Sequence, residues 1–254
     1  MGQLIKTALV TGAGKRIGRQ IAIDLAASGW TVGVHYGFSI DEAQEIVDEI
    51  VSAGGKAAAV AGDLSDAASP VKIIDQTVKA LGPLTLLVNN ASLFERDVIG
   101  DMSVESWNRH LDINLRGPVF LAQEFAGQLP DGQKGNIVNL IDQRVWQLTP
   151  DFFSYTISKA ALWTATQTLA QALAPRIRVN AIGPGPALPS SRMAQSEFDK
   201  QCKLMPLEVG TTPQEISSAL AFILSAPAMT GQMIALDGGQ HLGWKTPEFT
   251  EVSE

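Results

Sequence analysis

Seven short apolar runs set the frame for this chain: LIKTALV (4–10), TVGVHY (31–36), KAAAV (56–60), TLLV (85–88), NIVNL (136–140), IRVNAI (177–182) and QMIAL (232–236). They are rich in β-branched residues and show no polar alternation, so they read as strands covered on both faces, as in a parallel sheet. Segments of helical periodicity separate them. In DEAQEIVDEIVSAG, Ala43, Ile46, Val47, Ile50 and Val51 recur at helical spacing, and Gly54 and Gly55 end the helix. The alternation predicts an α/β fold: one Rossmann-type, doubly wound parallel sheet of about seven strands, in a single domain over residues 1–254. A hydrophobic content of 45% over 254 residues suffices for one large core of that kind.

Several partners and settings are excluded or disfavoured. A net charge of −7 argues against a nucleic-acid or anionic-membrane surface. The single cysteine, Cys202, rules out an internal disulfide and any cysteine-built metal site, and no metal centre is expected. No apolar run approaches the roughly 20 residues that span a bilayer, and MGQLIKTALVTGAGKRIG lacks the apolar region and cleavage site of a signal peptide. A cytoplasmic protein without a membrane partner is the expectation. One irregular segment, 183–213, carries five prolines. It follows a strand's C-terminal end, where ligands bind in open α/β sheets, so a substrate lid is expected there.

The glycine loop VTGAGKRIG (10–18) follows the first strand and opens the first helix. Gly12, Gly14 and Gly18 permit a tight turn, close approach of backbone to phosphate, and close helix–strand packing. The N–H groups and dipole of the helix N-terminus favour a pyrophosphate, and Ile17 lies in the same turn. The third glycine comes one residue later than in G-x-G-x-x-G. The ribose of NAD is read by an acid at the end of the second strand. Here that strand ends at Tyr36, followed by Gly37, Phe38 and Ser39, with no acid, while the loop supplies Lys15 and Arg16. That charge pattern suits the 2′-phosphate of NADPH/NADP, with Arg16 and Ser39 as its holders. In GDLSD, Asp63 beside Leu64 either accepts from an adenine amino group or serves as a turn or N-cap acid. NNAS brings Asn89, Asn90, Ala91 and Ser92 to another strand end, with small residues that allow a cofactor close.

Tyr155 and Lys159 stand four apart and so share a helix face. A cation within about 4–6 Å of a Tyr favours its phenolate, which makes the pair usable for proton transfer near neutral pH. These residues, with TGxxxxxG (11–18), NNA (89–91), Asn114 in DINLRGP, and Pro184-Gly185, resemble the short-chain dehydrogenase/reductase family over nearly the whole chain. The resemblance implies Tyr155 as proton donor, Lys159 as the residue that holds the nicotinamide ribose and lowers the Tyr pKa, Asn114 as anchor of a relay water, and a homotetramer.

Two departures narrow it. Arg16 replaces the family's second loop glycine, and Asp142 replaces its catalytic Ser. With Ser92 and Phe94 after NNA, the chain is similar to the pteridine and dihydromonapterin reductases, which implies a pterin as the small-molecule substrate. Phe94 is then either an ordinary core aromatic or the residue that stacks on the pterin. Substrate contacts are expected from Ser92, Phe94, Asp142 and Tyr155. His35 and His110 read as structural, and Trp146 and Trp163 as core or pocket wall. The expected activity is NADPH-dependent reduction of a pterin or dihydropterin ring, with proton delivery by Tyr155 and Asp142. The alternatives are a reductase of simple carbonyls, such as a 3-oxoacyl group or sugar ketone, and a non-catalytic NADP-binding sensor.

Overall fold

The computed structural model describes residues 5–189 and 193–243. The expected domain limits 1–254 and lid limits 183–213 therefore lie partly outside the described residues. All seven expected strands form: β1 (Thr7–Val10), β2 (Thr31–Tyr36), β3 (Lys56–Ala61), β4 (Leu86–Asn89), β5 (Gly135–Leu140), β6 (Ile177–Pro184) and β7 (Met233–Leu236). They make one parallel sheet in the order β3-β2-β1-β4-β5-β6-β7. Strand order reverses between β1 and β4, which pair with Val10 opposite Val88, and a crevice opens there beyond the strand ends.

Alternate residues of each strand enter two separate cores, as a sheet buried on both faces requires. Ala8, Val10, Leu86, Val88, Val138 and Ile182 pack beneath α1 (Arg16–Ala27), α2 (Ile40–Ser52) and α8 (Pro213–Ser225). Leu9, Leu87, Ile137 and Val179 face the other way. They pack with residues of α3 (Ser69–Leu81), α5 (Gly117–Gln128) and α6 (Phe153–Leu173). On α2 the expected apolar face is buried except at Val51, which is 52% exposed at the last turn. α4 (Val104–Leu111) runs into α5 through a π-helical turn, Asp112–Arg116, and α7 (Gln195–Lys203) lies in the proline-rich segment. No helix among the described residues is long and apolar enough to cross a membrane.

Candidate active site

A cavity of about 740 Å³ occupies the crevice at the strand ends. Most of the expected site residues line it: Gly12, Arg16, Ile17, Gly18, Ser39, Asp63, Leu64, Asn90, Ala91, Ser92, Phe94, Asp142, Tyr155, Lys159, Pro184 and Gly185. Three do not. Gly14 turns its Cα toward the start of α2, where an added Cβ would lie 3.4 Å from the Ala43 nitrogen. Tyr36 packs its ring against the core under α1 and α2. Asn114 sits fully buried in the π-helical turn behind the wall.

The glycine loop is held from several sides. Gly12 has φ +61°, a left-handed conformation that glycine adopts freely. Its N–H donates to Nδ1 of His35 at 3.2 Å, while Nε2 of the same ring donates to the Gly62 carbonyl at 2.9 Å. One buried, neutral imidazole thus ties the loop after β1 to the loop after β3, and burial pulls its pKa down to about 4. Asn90 donates to the carbonyls of Thr11 and Gly12, and Thr11 Oγ1 accepts from the N–H groups of Asn90 and Ala91. Gly18 completes the packing, since a Cβ there would overlap the Gly12 carbonyl oxygen and lie 2.5 Å from Asn90 Nδ2.

The cations of this loop already have partners. Lys15 pairs with Glu42. Arg16, at φ +55°, occupies a backbone conformation suited to the family's glycine, and its guanidinium donates to the carbonyls of Leu188 and Pro189 at 3.1 and 2.8 Å. Pro186, Ala187, Leu188, Met193, Phe198 and Gln201 of the proline-rich segment line the cavity from above. Asp63 accepts from the Ser65 N–H at 2.9 Å, which is the turn role, while still facing the cavity.

At the other end lies the proton-transfer group. Tyr155 Oη donates to Asp142 Oδ2 at 2.9 Å, and the Arg144 N–H donates to Asp142 Oδ1 at 2.8 Å. Burial raises the Asp142 pKa, against the Arg144 N–H bond and charge. Burial and the Asp142 charge together push the Tyr155 hydroxyl well above its ordinary value. Lys159 Nζ donates to the Leu140 carbonyl at 2.7 Å, 5.8 Å from the Tyr155 ring centre, and burial lowers its pKa to about 8. Burial first, and then the Asp142 carboxylate in direct contact, favour the protonated Tyr155 hydroxyl, while the Lys159 ammonium lies further off. The protonated hydroxyl is the form required of a donor.

The side chain of Asn114 is engaged by protein. It accepts from Leu93 N–H and donates to the Leu93 carbonyl and to Ser158 Oγ, so both amide donors are used. Its side chain pins the 92–94 loop to α6. Asp97, unremarked in the sequence, holds the first turn of α6 through the Ser154 N–H at 2.9 Å, and so sets the height of Tyr155. His110 is structural as expected, bonded to Ser106 and Glu95.

Among the wall residues that the sequence does not single out are Gln143, Arg144 and Phe152. Phe94 is not a core aromatic. It is 48% exposed and stacks face to face on Phe152 at 4.3 Å, with its ring edge-on to Tyr155 at 4.7 Å. The paired aromatics of DFFSY were the available signal, but two Phe residues before a helix read equally well as core.

The parallel sheet, reversed strand order and glycine cradle define a Rossmann-type dinucleotide site, and the Tyr–Lys helix beside it an oxidoreductase centre. The family model for short chain dehydrogenases matches residues 6–201, and the chain belongs to that family. Among solved structures, FolM alternative dihydrofolate reductase 1 from Brucella suis, in complex with NADP, is 48% identical. It superposes with a TM-score of 0.92, covering 95% of this chain and 97% of that one. A blue fluorescent protein from a metagenomic library, in complex with NADPH, is 29% identical with a TM-score of 0.85, over 92% and 97%. Among curated relatives, the 3-oxoacyl-[acyl-carrier-protein] reductase FabG of Staphylococcus epidermidis is 32% identical over 93% of this chain and 99% of its own. The similarity to FolM agrees with the narrower resemblance read from Arg16, Asp142, Ser92 and Phe94.

Proposed function

We propose that this chain is an NADPH-dependent reductase of a dihydropterin ring. The observation that carries the reading is the Tyr155–Asp142 hydrogen bond at the substrate end of the cavity. The residues present fit the cofactor. Gly12 and Gly18 line the cavity and let the loop pack closely against Ala91 and Asn90 at the N-terminus of α1, where a phosphate would be held, and no carboxylate stands at the end of β2, where Ser39 faces the cavity. Solved relatives carrying NADP and NADPH support the same choice. When bound, NADPH supplies the hydride that reduces the ring carbon of a C=N bond.

The chain's own residues manage the matching proton. Tyr155 holds it next to the substrate, and the raised pKa of Tyr155 keeps it there until a ring nitrogen becomes basic. A pterin offers N–H donors as well as basic nitrogens, and a carboxylate accepts from the former. Asp142, its own pKa raised by burial, is placed to take up a proton and return it to Tyr155 through their hydrogen bond. Since the two groups share that bond, they titrate as a pair. Lys159, protonated below about pH 8, faces the cavity and would hold the cofactor ribose. The segment above the cavity would act as lid, and the homotetramer implied by the family belongs to the same proposal, checked by light scattering.

A second reading, reduction of a 3-oxoacyl group, is favoured by the FabG relatives. Asp142 weighs against it, because a carbonyl oxygen gaining negative charge wants a neutral donor rather than a carboxylate. NADPH oxidation measured with a dihydropterin, with an acetoacetyl thioester and with neither decides between them. Turnover with the dihydropterin alone supports the proposal; turnover with the thioester alone contradicts it.

A further inference from the structure

Four cations line the cavity, and three are engaged by the protein: Lys15 by Glu42, Arg16 by the Leu188 and Pro189 carbonyls, Lys159 by the Leu140 carbonyl. Arg144 differs. Among the described residues it makes no ion pair, and the carboxylate of Asp151 nearby is taken by Arg96 at 2.6 Å. Its hydrogen bonds to Thr149 Oγ1 and the Asp151 carbonyl are long, 3.3 and 3.5 Å. Its Nε is buried with no acceptor among the described residues. A half-buried guanidinium with an unfilled donor is costly to keep unless something accepts from it.

Its position says what that something is. Cζ lies 5.0 Å from the centre of the Phe152 ring and 5.7 Å from that of Phe94, and the two rings are 4.3 Å apart. Those distances put the guanidinium beside the stack and within reach of both rings. Phe94 in turn contacts Tyr155 edge-on, so the path from the proton donor to the cation runs along an apolar aromatic wall. The Arg144 N–H is bonded to Asp142, which fixes the residue relative to the reacting end. A planar, permanently charged fork beside such a wall, near enough for its charge to act on Asp142 and Tyr155 as well, matches a carboxylate.

We propose that Arg144 is a specificity-determining residue that binds a carboxylate on the side chain of the substrate, so that dihydropterins with an anionic tail are preferred over those with a neutral one. This rests on the dihydropterin reading above and adds to it the chemistry of the substituent. The aromatic wall accommodates the linker, and the terminal guanidinium nitrogens, held by the protein only through the long Nη1 bonds, receive the acid.

The test compares kcat/KM for 7,8-dihydrofolate, whose tail carries carboxylates, with that for 7,8-dihydrobiopterin, whose tail is neutral, in the parent, Arg144→Gln and Arg144→Lys. Loss of a charge-assisted contact should lower the tailed-to-untailed ratio in Arg144→Gln by about ten- to a hundredfold, and Arg144→Lys should recover part of it. Added salt should lower the ratio in the parent and leave it flat in Arg144→Gln. A ratio unchanged by Arg144→Gln overturns the assignment. A parent that turns over neither compound contradicts the function reading instead. Tryptophan fluorescence titration of the NADP-loaded parent and Arg144→Gln with folate then decides the inference by itself: weaker binding in the variant upholds it, and equal binding overturns it.

Discussion

The cofactor half and the substrate half of the cavity are built differently. Around the glycine loop most polar groups are satisfied by the protein, Asn89 Oδ1 at the end of β4 excepted: His35 joins Gly12 to Gly62, Asn90 and Thr11 join β1 to β4, and Lys15 has its counter-ion. Around the turn after Asp142, Gln143 Oε1 and Arg144 Nε are buried without partners among the described residues, and Phe152 sits at φ +57°. A left-handed residue of that kind costs about 1–2 kcal/mol. Buried polar atoms left open are rare in folded proteins. The difference teaches that the half receiving an invariant dinucleotide is fixed in advance, whereas the half receiving a particular substrate keeps its bonding capacity free. Arg16 is the exception on the cofactor side, strained and turned toward the lid segment.

If the cofactor half is rigid by construction, small insertions there should have the largest effects. Gly18→Ala places a methyl against the Gly12 carbonyl and Asn90, both backbone-anchored. Overpacking of this order costs about 1–3 kcal/mol, and displacement of the loop should abolish NADPH binding by fluorescence while the chain still folds by circular dichroism. Undiminished affinity would break the comparison. Arg16→Ala keeps the strained backbone but removes the guanidinium. If Arg16 exchanges the Leu188 and Pro189 carbonyls for the 2′-phosphate, the NADPH KM should rise about ten- to a hundredfold, with the NADH KM much less affected. Equal losses with both would leave Arg16 as a lid tether alone.

A further effect, spread over a pH range and confined to stability, concerns His35. His35 has a folded-state pKa of about 4, below its ordinary 6.5. Protons therefore favour the unfolded chain between those values. The contribution of neutral His35 is complete above pH 6.5 and is lost as pH falls toward 4, by about 3 kcal/mol in all. His35→Asn, which cannot titrate, should flatten the urea-unfolding free energy over that window, although at a lower level. An unaltered slope would place the acid sensitivity elsewhere.

Legibility in the sequence divides along the same line. The strands and the glycine cradle were readable because apolar runs and glycine spacing reflect local backbone requirements. Val51, Gly14 and Tyr36 were misplaced because periodicity does not say where a helix face or a strand end turns away from the site. His35 was legible as structural but not as the staple between two cofactor loops, since its partners Gly12 and Gly62 lie far off in sequence. On the substrate side Asp142 and Phe94 were recoverable only by resemblance. Gln143, Arg144 and Phe152 carry no spacing rule, because their roles depend on a turn whose shape tertiary packing decides. Sequence spacing shows Lys159 on the helix face of Tyr155, but neither the burial of the hydroxyl nor its closer contact with Asp142.

The central claim is that Asp142 makes this centre one for dihydropterins. Asp142→Ser is the direct test, since a serine can still cap the turn at Gln143–Val145 and accept from Tyr155, but cannot store a proton near neutral pH. Single-turnover and steady-state reduction of a dihydropterin should fall by about 10²-fold or more, the usual scale for a positioned acid, with NADPH affinity and thermal stability retained and any carbonyl reduction spared or improved. An Asp142→Ser enzyme that reduces dihydropterins as fast as its parent would contradict the account.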